Sequence, residues 1–481
     1  QKRMSNATQS LAGTRITSLL DANSFVEIGK SITARATDFN MAEKKAPSDG
    51  VITGYGVIDG NLVYVYSQDA SVLNGTVGEM HAKKISALYD LAMKTGAPVI
   101  GLVDCAGMRL EEATDALEAF GGIYLKQTLA SGMIPQITAI FGTCGGGMAV
   151  VPALTDFTFI EEKKGRMFVN TPNALEGNYI QKKDTSAASF QSEETGLIDR
   201  TGSEAEILGW IRQLVGLLPS NFEDNDSFDE CADDLNRVCA DIAACAGDTA
   251  LALSRIADSN LFFETKKDYG KDMVTGFMRL NGATVGAVAN RSEIYDEEGK
   301  KAEEFDGTIS ARGARKAADF VKFCDAFDIP VLTLTNTTGF KATLCNEKMM
   351  AKSVGALVHA FADATVPKVN VVIGKAYGTA YVAMNSKSVG ADYVYAWDNA
   401  EIGMMDASLA AKIMYPGEDA AVLNEKAAEY RELQSSVESA AARGYVDTVI
   451  APEDTRKYVI GAFEMLFTKR EDRPAKKHSA V

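Results

Sequence analysis

Two short glycine-rich runs hold the residue types from which main-chain catalysis is built. Gly142-Thr143-Cys144-Gly145-Gly146-Gly147-Met148 directly follows the apolar run Ile137 to Phe141, and Gly374-Lys375-Ala376-Tyr377-Gly378-Thr379-Ala380 follows Val369 to Ile373. A tight strand-to-helix turn of small residues lets backbone N–H groups approach a ligand oxygen with no Cβ in the way, and the helix N-terminus adds positive potential. Donors so placed stabilise a developing oxyanion, each by roughly 3 kcal/mol of barrier. Taken singly, either run is equally explained by close packing of a strand on a helix. Neither is a dinucleotide fingerprint or a P-loop, because the glycine spacing does not fit GxGxxG and no Gly-Lys-Ser/Thr follows.

What separates the two explanations is that the runs are copies. At an offset of 232 residues Pro98 and Gly107 fall on Pro330 and Gly339, Pro135 on Pro367, Gly142 on Gly374 and Gly146 on Gly378. Further upstream the offset is 222, with Thr53-Gly54-Tyr55 on Thr275-Gly276-Phe277 and Gly60 on Gly282, so the second copy has gained ten residues. The acidic stretch Tyr295 to Asp306 is the natural insertion. A repeat this long, far beyond solenoid units of about 50 residues, indicates duplication of a whole domain.

Each copy has the same order of elements. Residues 51–58 and 62–67 are β-rich runs split by Asp59-Gly60, a hairpin signal. Residues 79–94 place Met80, Ile85, Leu88, Leu91 and Ala92 on one stripe closed by Gly96, which predicts a helix. An apolar run at 98–103, a glycine-containing loop, a helix near 115–131 and the run Ile137 to Phe141 follow. The second copy repeats this over 273–289, 313–328, 330–335, 349–362 and 368–373, which predicts two α/β domains with parallel βαβ layers. Ser220 to Ser227 reads as the linker, giving halves of 1–225 and 226–481.

Composition narrows the class. A length of 481 residues with 46% hydrophobic and 24% charged residues is that of an ordinary globular protein. The net charge of −16 argues against nucleic-acid and anionic-lipid surfaces. No run has the 18 or so apolar residues of a membrane span, and the polar start, with Met4 read as the natural initiator, has no signal-peptide core. Seven cysteines without a CxxC pair indicate neither a disulfide framework nor a zinc site. The expected location is the reducing cytoplasm.

The sequence resembles the carboxyltransferase subunits of biotin-dependent acyl-CoA carboxylases and decarboxylases, of the propionyl-CoA carboxylase beta and methylmalonyl-CoA decarboxylase alpha type. The resemblance runs from Arg15-Ile16-Thr17-Ser18-Leu19-Leu20-Asp21 to Pro474-Ala475-Lys476-Lys477-His478. Its most specific stretches are Asp49 to Gly54, Gly78 to Ile85, Pro152 to Asp156, Phe320 to Phe327, and Ala364 to Lys368 leading to Lys375-Ala376-Tyr377-Gly378. It implies tandem duplicated crotonase-like domains, the first serving the acyl-CoA and the second serving biotin.

The resemblance also implies the chemistry. A carboxyl group moves between N1 of a biotin borne on a separate carrier protein and the α-carbon of a short acyl-CoA. The thioester carbonyl is held by main-chain N–H groups matching Gly146 and Gly147, and the ureido oxygen by those of Gly378, Thr379 and Ala380. The two halves of a site come from different subunits, so a homo-oligomer of at least two copies is implied. Further implied partners are the biotin carboxyl carrier protein and either a biotin carboxylase or membrane decarboxylase subunits, because the chain has neither a biotinyl Met-Lys-Met nor an ATP-binding motif. Two oxyanion holes do most of this chemistry, so a side-chain base is unnecessary.

Other residues are weighed on that basis. Asp104, before Gly107 and with Arg109, Glu111 and Glu112 just after, lies at the end of a strand, where ligands bind in parallel sheets, and Gly107 and Arg109 are expected with Gly145 to contact the acyl-CoA. The family commonly has Ser-Gly-Gly-Ala-Arg where this chain has Cys105-Ala106-Gly107-Met108-Arg109, and Asn336 to Lys341 replaces a Pro-Gly-Phe stretch on the biotin side. Val382 falls where the family varies with the acyl group, and its apolar side chain favours propionyl-CoA or methylmalonyl-CoA by about 1–3 kcal/mol. His81 reads as structural, His359 as packed in an apolar helix, and His478 lies in the tail. Cys144 has no inferred histidine partner and is not read as a nucleophile. The alternatives are the α subunit of a methylmalonyl-, malonyl- or glutaconyl-CoA decarboxylase feeding a membrane sodium pump and, less favoured, an acyl-CoA hydratase, isomerase or binder.

Overall fold

The computed structural model describes residues 10–35, 38–223 and 227–474. Met4, residues 224–226 of the expected linker, and Ala475 to His478 lie outside the described residues. The chain divides into two compact units with the boundary between Ser227 and Phe228.

The first unit begins with α1 (Leu11–Leu19) and contains β1 (Val26–Ile28), β2 (Val51–Ile58), β3 (Asn61–Gln68), α2 (Glu79–Thr95), β4 (Val99–Cys105), α3 (Ala113–Ala130), β5 (Gln136–Gly145), α4 (Val151–Leu154), β6 (Phe157–Glu161), β7 (Arg166–Phe168) and β8 (Arg200–Gly202). Its sheet runs β1-β2-β3-β4-β5-β6-β8, with β7 beside β5. The β2–β3 pair is antiparallel, and every step from β3 to β8 is parallel.

The second unit repeats that plan with β9 (Phe262–Thr265), β10 (Met273–Leu280), β11 (Ala283–Asn290), α5 (Ala311–Ala326), β15 (Val331–Thr337), α6 (Leu344–Asp363), β17 (Lys368–Tyr377), α7 (Gly378–Ala383), β18 (Tyr393–Trp397), β19 (Glu401–Gly403) and β20 (Thr448–Ile450). The short strands β12 (Glu293–Tyr295), β13 (Lys301–Glu304), β14 (Thr308–Ile309) and β16 (Gly339–Phe340) lie outside the main sheet. Its order, β20-β18-β17-β15-β11-β10-β9 with β19 beside β17, is that of the first unit. The insertion forms the antiparallel β12–β13 pair. Both units are mixed α/β with largely parallel sheets, as the crotonase-like reading requires.

Local chemistry explains the agreement. Asp59 and Gly60 have φ of 47° and 82°, and Asn281 and Gly282 have 49° and 80°. A two-residue hairpin with both central residues at positive φ matches the strand twist, and Asp-Gly and Asn-Gly tolerate it. Helix α2 buries Ile85, Leu88 and Ala92 and stops at Gly96, whose φ of 66° is left-handed. Ile85 and Leu88 each contribute about 1.5–3 kcal/mol by this burial.

One buried polar device is also duplicated. Lys84 on α2 and Lys316 on α5 are both buried. The Lys84 ammonium donates to Ser48 O at 2.9 Å, Ser48 Oγ at 2.6 Å and Val51 O. That of Lys316 donates to Lys266 O and Tyr269 O at 2.8 Å and to Met273 O at 2.7 Å. Each thus ties its helix to the residue that opens the first hairpin strand, Val51 or Met273.

Candidate active site

In the first unit β5 does not end where the glycines begin; it runs through Gly142 to Gly145, and the chain turns at Gly146 into a 3-10 segment, Gly146–Val150, before α4. Gly146 has φ +61°, and a Cβ built there would meet nothing within 4 Å. The glycine is therefore required by backbone conformation and not by crowding. Gly147 packs under Phe120 and Tyr124 of α3, and the Tyr124 hydroxyl donates to its carbonyl.

The second turn is the same object. β17 runs to Tyr377, Gly378 takes φ +62°, and α7 carries Thr379 exposed, Ala380 buried and Val382 half-buried. Tyr377 donates its hydroxyl to Glu401 on the neighbouring β19, which anchors the residue before the turn.

These short helices correct the sequence reading. Strands were expected to give way to helices at the first glycine, with the helix macrodipole assisting. Instead the following helices have four and six residues. So short a helix sums few peptide dipoles, and the turns must act through their own N–H groups.

Gly107 belongs to the first site. It takes φ +123°, and its vacant Cβ position lies 3.6 Å from Gly145 O. Gly145 in turn approaches Ala106 O and the Phe168 ring. Gly107 and Gly145 are thus buried against each other, and Gly146 and Gly147, next in the chain, are partly exposed. In the second unit Gly339, with φ +150°, is the counterpart of Gly107. The Cys105 thiol bonds both the N–H and the carbonyl of Gly107, and the Thr337 hydroxyl bonds those of Gly339.

Arg109 is not a ligand-facing cation, contrary to the sequence reading. It is 1% exposed, and its guanidinium is committed to Asp49, to Glu112 at 2.6 Å and to Thr76 O at 2.9 Å. Glu112 accepts the N–H of Glu79 at 3.2 Å and Asp49 that of His81 at 2.8 Å, so this buried triad caps the first turn of α2. Glu112 lies only three residues on, but Asp49 lies sixty residues upstream, too far in sequence for a one-dimensional reading to pair it with Arg109.

His81 is fully buried and neutral. Its Nδ1–H donates to Asp49 O at 2.9 Å, which leaves Nε2 to accept from the Gln68 amide at 3.2 Å. Burial and the nearby Arg109 charge hold its pKa down at about 3. It has no role as a base. His359 sits half-buried on α6. Burial pushes the Cys105 thiol up to about 12 and raises Cys144 well above the ordinary range, so neither is a thiolate nucleophile. Sequence reasoning overlooked Gln68 and its counterpart Asn290; the 222-residue offset was the signal available for pairing them.

Comparison with known proteins agrees with this architecture. Residues 5–481 match the family described as the carboxyl transferase domain. The chain is 38% identical to the propionyl-CoA carboxylase beta chain of Roseobacter denitrificans, over 97% of this chain and 92% of that one. It is 37% identical, with the same coverage, to methylmalonyl-CoA decarboxylase subunit alpha of Propionigenium modestum. A crystal structure of transcarboxylase 12S, a hexamer described with methylmalonyl-coenzyme A and methylmalonic acid bound, superimposes with a TM-score of 0.90 at 34% identity, covering 98% of this chain and 93% of that one.

The fold is that of a crotonase-like carboxyltransferase. The chain belongs to the carboxyl transferase domain family, the biotin-dependent enzymes that act on CoA thioesters, and it is an enzyme of that class. Among the described residues no helix is long and apolar enough to cross a membrane.

Proposed function

We propose that this enzyme moves a carboxyl group between the biotin of a separate carrier protein and the α-carbon of propionyl-CoA, methylmalonyl-CoA being the carboxylated partner. The observation that carries the reading is the pair of left-handed glycines, Gly146 and Gly378, at equivalent places in the two halves of the duplicated chain. A reaction that develops negative charge on two acceptors, the thioester oxygen and the ureido oxygen, needs two such turns; a hydratase needs one.

In this reading the N–H groups of Gly146 and Gly147 hold the thioester oxygen, and those of Thr379 and Ala380, framed by Gly378, hold the ureido oxygen. Gly107 and Gly145 keep side chains away from the first turn, and the open space at Gly146 fits a ligand atom there. Val382, half-buried behind the second turn, sets the size of acyl group accepted. The working form is an oligomer of this chain in the cytoplasm, served by a biotin carboxyl carrier protein and a biotin carboxylase.

A second reading, the α subunit of a decarboxylase that passes CO2 to membrane subunits, is favoured by the near-equal likeness to relatives of both kinds. Both readings share one transfer step, and it is reversible. Incubating the protein with carboxyl-labelled methylmalonyl-, malonyl- and glutaconyl-CoA and free biotin tests it. Label on biotin, fastest from methylmalonyl-CoA, is expected; faster transfer from malonyl- or glutaconyl-CoA would reassign the substrate.

A further inference from the structure

In both units the strand that leads into the glycine turn slips against its neighbour at the same place. Val103 pairs with Ile140 and Cys105 with Cys144, so two residues of β4 span four of β5; Thr335 pairs with Val372 and Thr337 with Ala376 in the same way. Thr143 and Lys375 lie inside these slips, and the N–H of each goes to a side chain. Asp104 Oδ1 accepts from Thr143 at 3.3 Å, and Asn336 Oδ1 accepts from Lys375 at 3.0 Å.

Those two side chains are themselves held alike. The N–H of Asp104 donates to Gln68 Oε1 at 3.2 Å, and that of Asn336 to Asn290 Oδ1 at 2.9 Å. Gly142 and Gly374 stand directly against the carboxylate and the amide, and a Cβ on either would collide with it. The chain thus keeps a relay of Gln68, Asp104 and Thr143 in one unit and of Asn290, Asn336 and Lys375 in the other. Each ends three residues before the left-handed glycine.

The copies differ in charge. Asp104 is an acid with Arg15 Nη1 3.5 Å from its second oxygen. Asn336 is neutral, and the Lys375 side chain beside it is exposed. A carboxylate and an amide of the same shape accept the same N–H, but an anion behind a turn opposes negative charge developing in front of it. Arg15 offsets that opposition at residue 104. Among the described residues no Arg or Lys side chain is hydrogen-bonded to Asn336, whose Oδ1 accepts the Lys375 N–H.

We propose that Asp104 and Asn336 are positioning residues of the two glycine turns, each fixing its turn through one N–H in the strand slip, and that the turn assigned to the biotin ureido oxygen requires the neutral amide. The inference rests on the two-turn reading above, but its failure is separable. Absence of transfer by the wild-type protein would sink that reading, whereas the present inference concerns variants of a protein that transfers.

The test compares Asp104→Ala, Asp104→Asn, Asn336→Ala and Asn336→Asp for kcat, for KM of methylmalonyl-CoA and biotin, and for circular dichroism. Loss of the acceptor is expected to lower kcat at least about tenfold with KM for methylmalonyl-CoA within about threefold, since one oxyanion donor is worth a hundredfold or more. Asp104→Asn is expected to recover most of what Asp104→Ala loses. Asn336→Asp, with the same shape, is expected to remain at least about tenfold impaired. The two isosteric variants keep the proposal testable should both alanine variants fail to fold. Equal kcat for Asn336→Asp and wild type, or folded alanine variants with wild-type kcat, would overturn it.

Discussion

Gly146 and Gly378 stand 232 residues apart in sequence and share a left-handed backbone, with φ of +61° and +62°. The same bend has been kept in two halves whose surrounding side chains differ, Cys144 against Ala376 and Met148 against Ala380. Conserving a backbone angle while exchanging side chains is what main-chain chemistry requires. It also shows where substitution should hurt.

Gly146→Ala places an L side chain at positive φ in open space, so strain and not collision is the perturbation, at a cost of about 1–2 kcal/mol. Relaxation of that strain swings the turn's N–H groups away. The expected result is a kcat lowered tenfold or more in a protein that still folds, read by circular dichroism and steady-state kinetics. Gly378→Ala should behave alike with added crowding, because its Cβ would lie 3.3 Å from Met404 O.

Arg109 gives the opposite signature. Arg109→Met leaves Asp49 and Glu112 buried without their cation and should cost about 3–5 kcal/mol. In Arg109→Lys, if the guanidinium only caps α2, urea unfolding should shift while KM for the CoA thioester stays within about threefold, a change worth under 1 kcal/mol. A large rise in KM at unchanged stability would restore it as a ligand contact.

His81 makes the first unit sensitive to acid. Its folded pKa of about 3 lies below the ordinary 6.5, so above pH 6.5 both states are neutral and stability is full. As pH falls from 6.5 toward 3, the unfolded chain takes up a proton that the folded one refuses, and stability declines. At pH 4.5 this amounts to about 3 kcal/mol. Urea titrations of wild type and His81→Gln at pH 7.5 and 4.5 should show the smaller loss in the variant; equal losses would contradict the assignment.

Val382→Asp tests the acyl selectivity. Removing the apolar wall should lower the ratio of kcat/KM for methylmalonyl-CoA to that for malonyl-CoA by roughly tenfold, within the 1–3 kcal/mol that one methyl contact supplies. An unchanged ratio would remove Val382 from the substrate-recognition surface.

The parts of the fold that local chemistry determines were readable in the sequence. Asp59-Gly60 announced its hairpin, the stripe of Met80, Ile85, Leu88, Leu91 and Ala92 with Gly96 announced α2, although Leu91 of that stripe is exposed, and the offsets of 222 and 232 announced the second unit. Boundaries set by tertiary pairing were not. Gly142 to Gly145 has no strand signal of its own and is strand because β7 pairs alongside it. α6 was expected from residue 349 but begins at Leu344, because Thr343 caps it by accepting the N–H of Asn346 at 3.3 Å. Arg109 looked like a ligand contact because Asp49, which takes its charge, lies sixty residues upstream.

The most direct test of the account is transfer of label from carboxyl-labelled methylmalonyl-CoA to free biotin by wild type and Thr379→Pro. Thr379 is the second residue of α7, where a helix has no internal use for the N–H and proline is tolerated. The account predicts rapid labelling of biotin by wild type, and a folded variant that binds the CoA thioester normally yet transfers at least a hundredfold more slowly, the cost of one oxyanion donor. Wild-type transfer rates in the folded variant would contradict it.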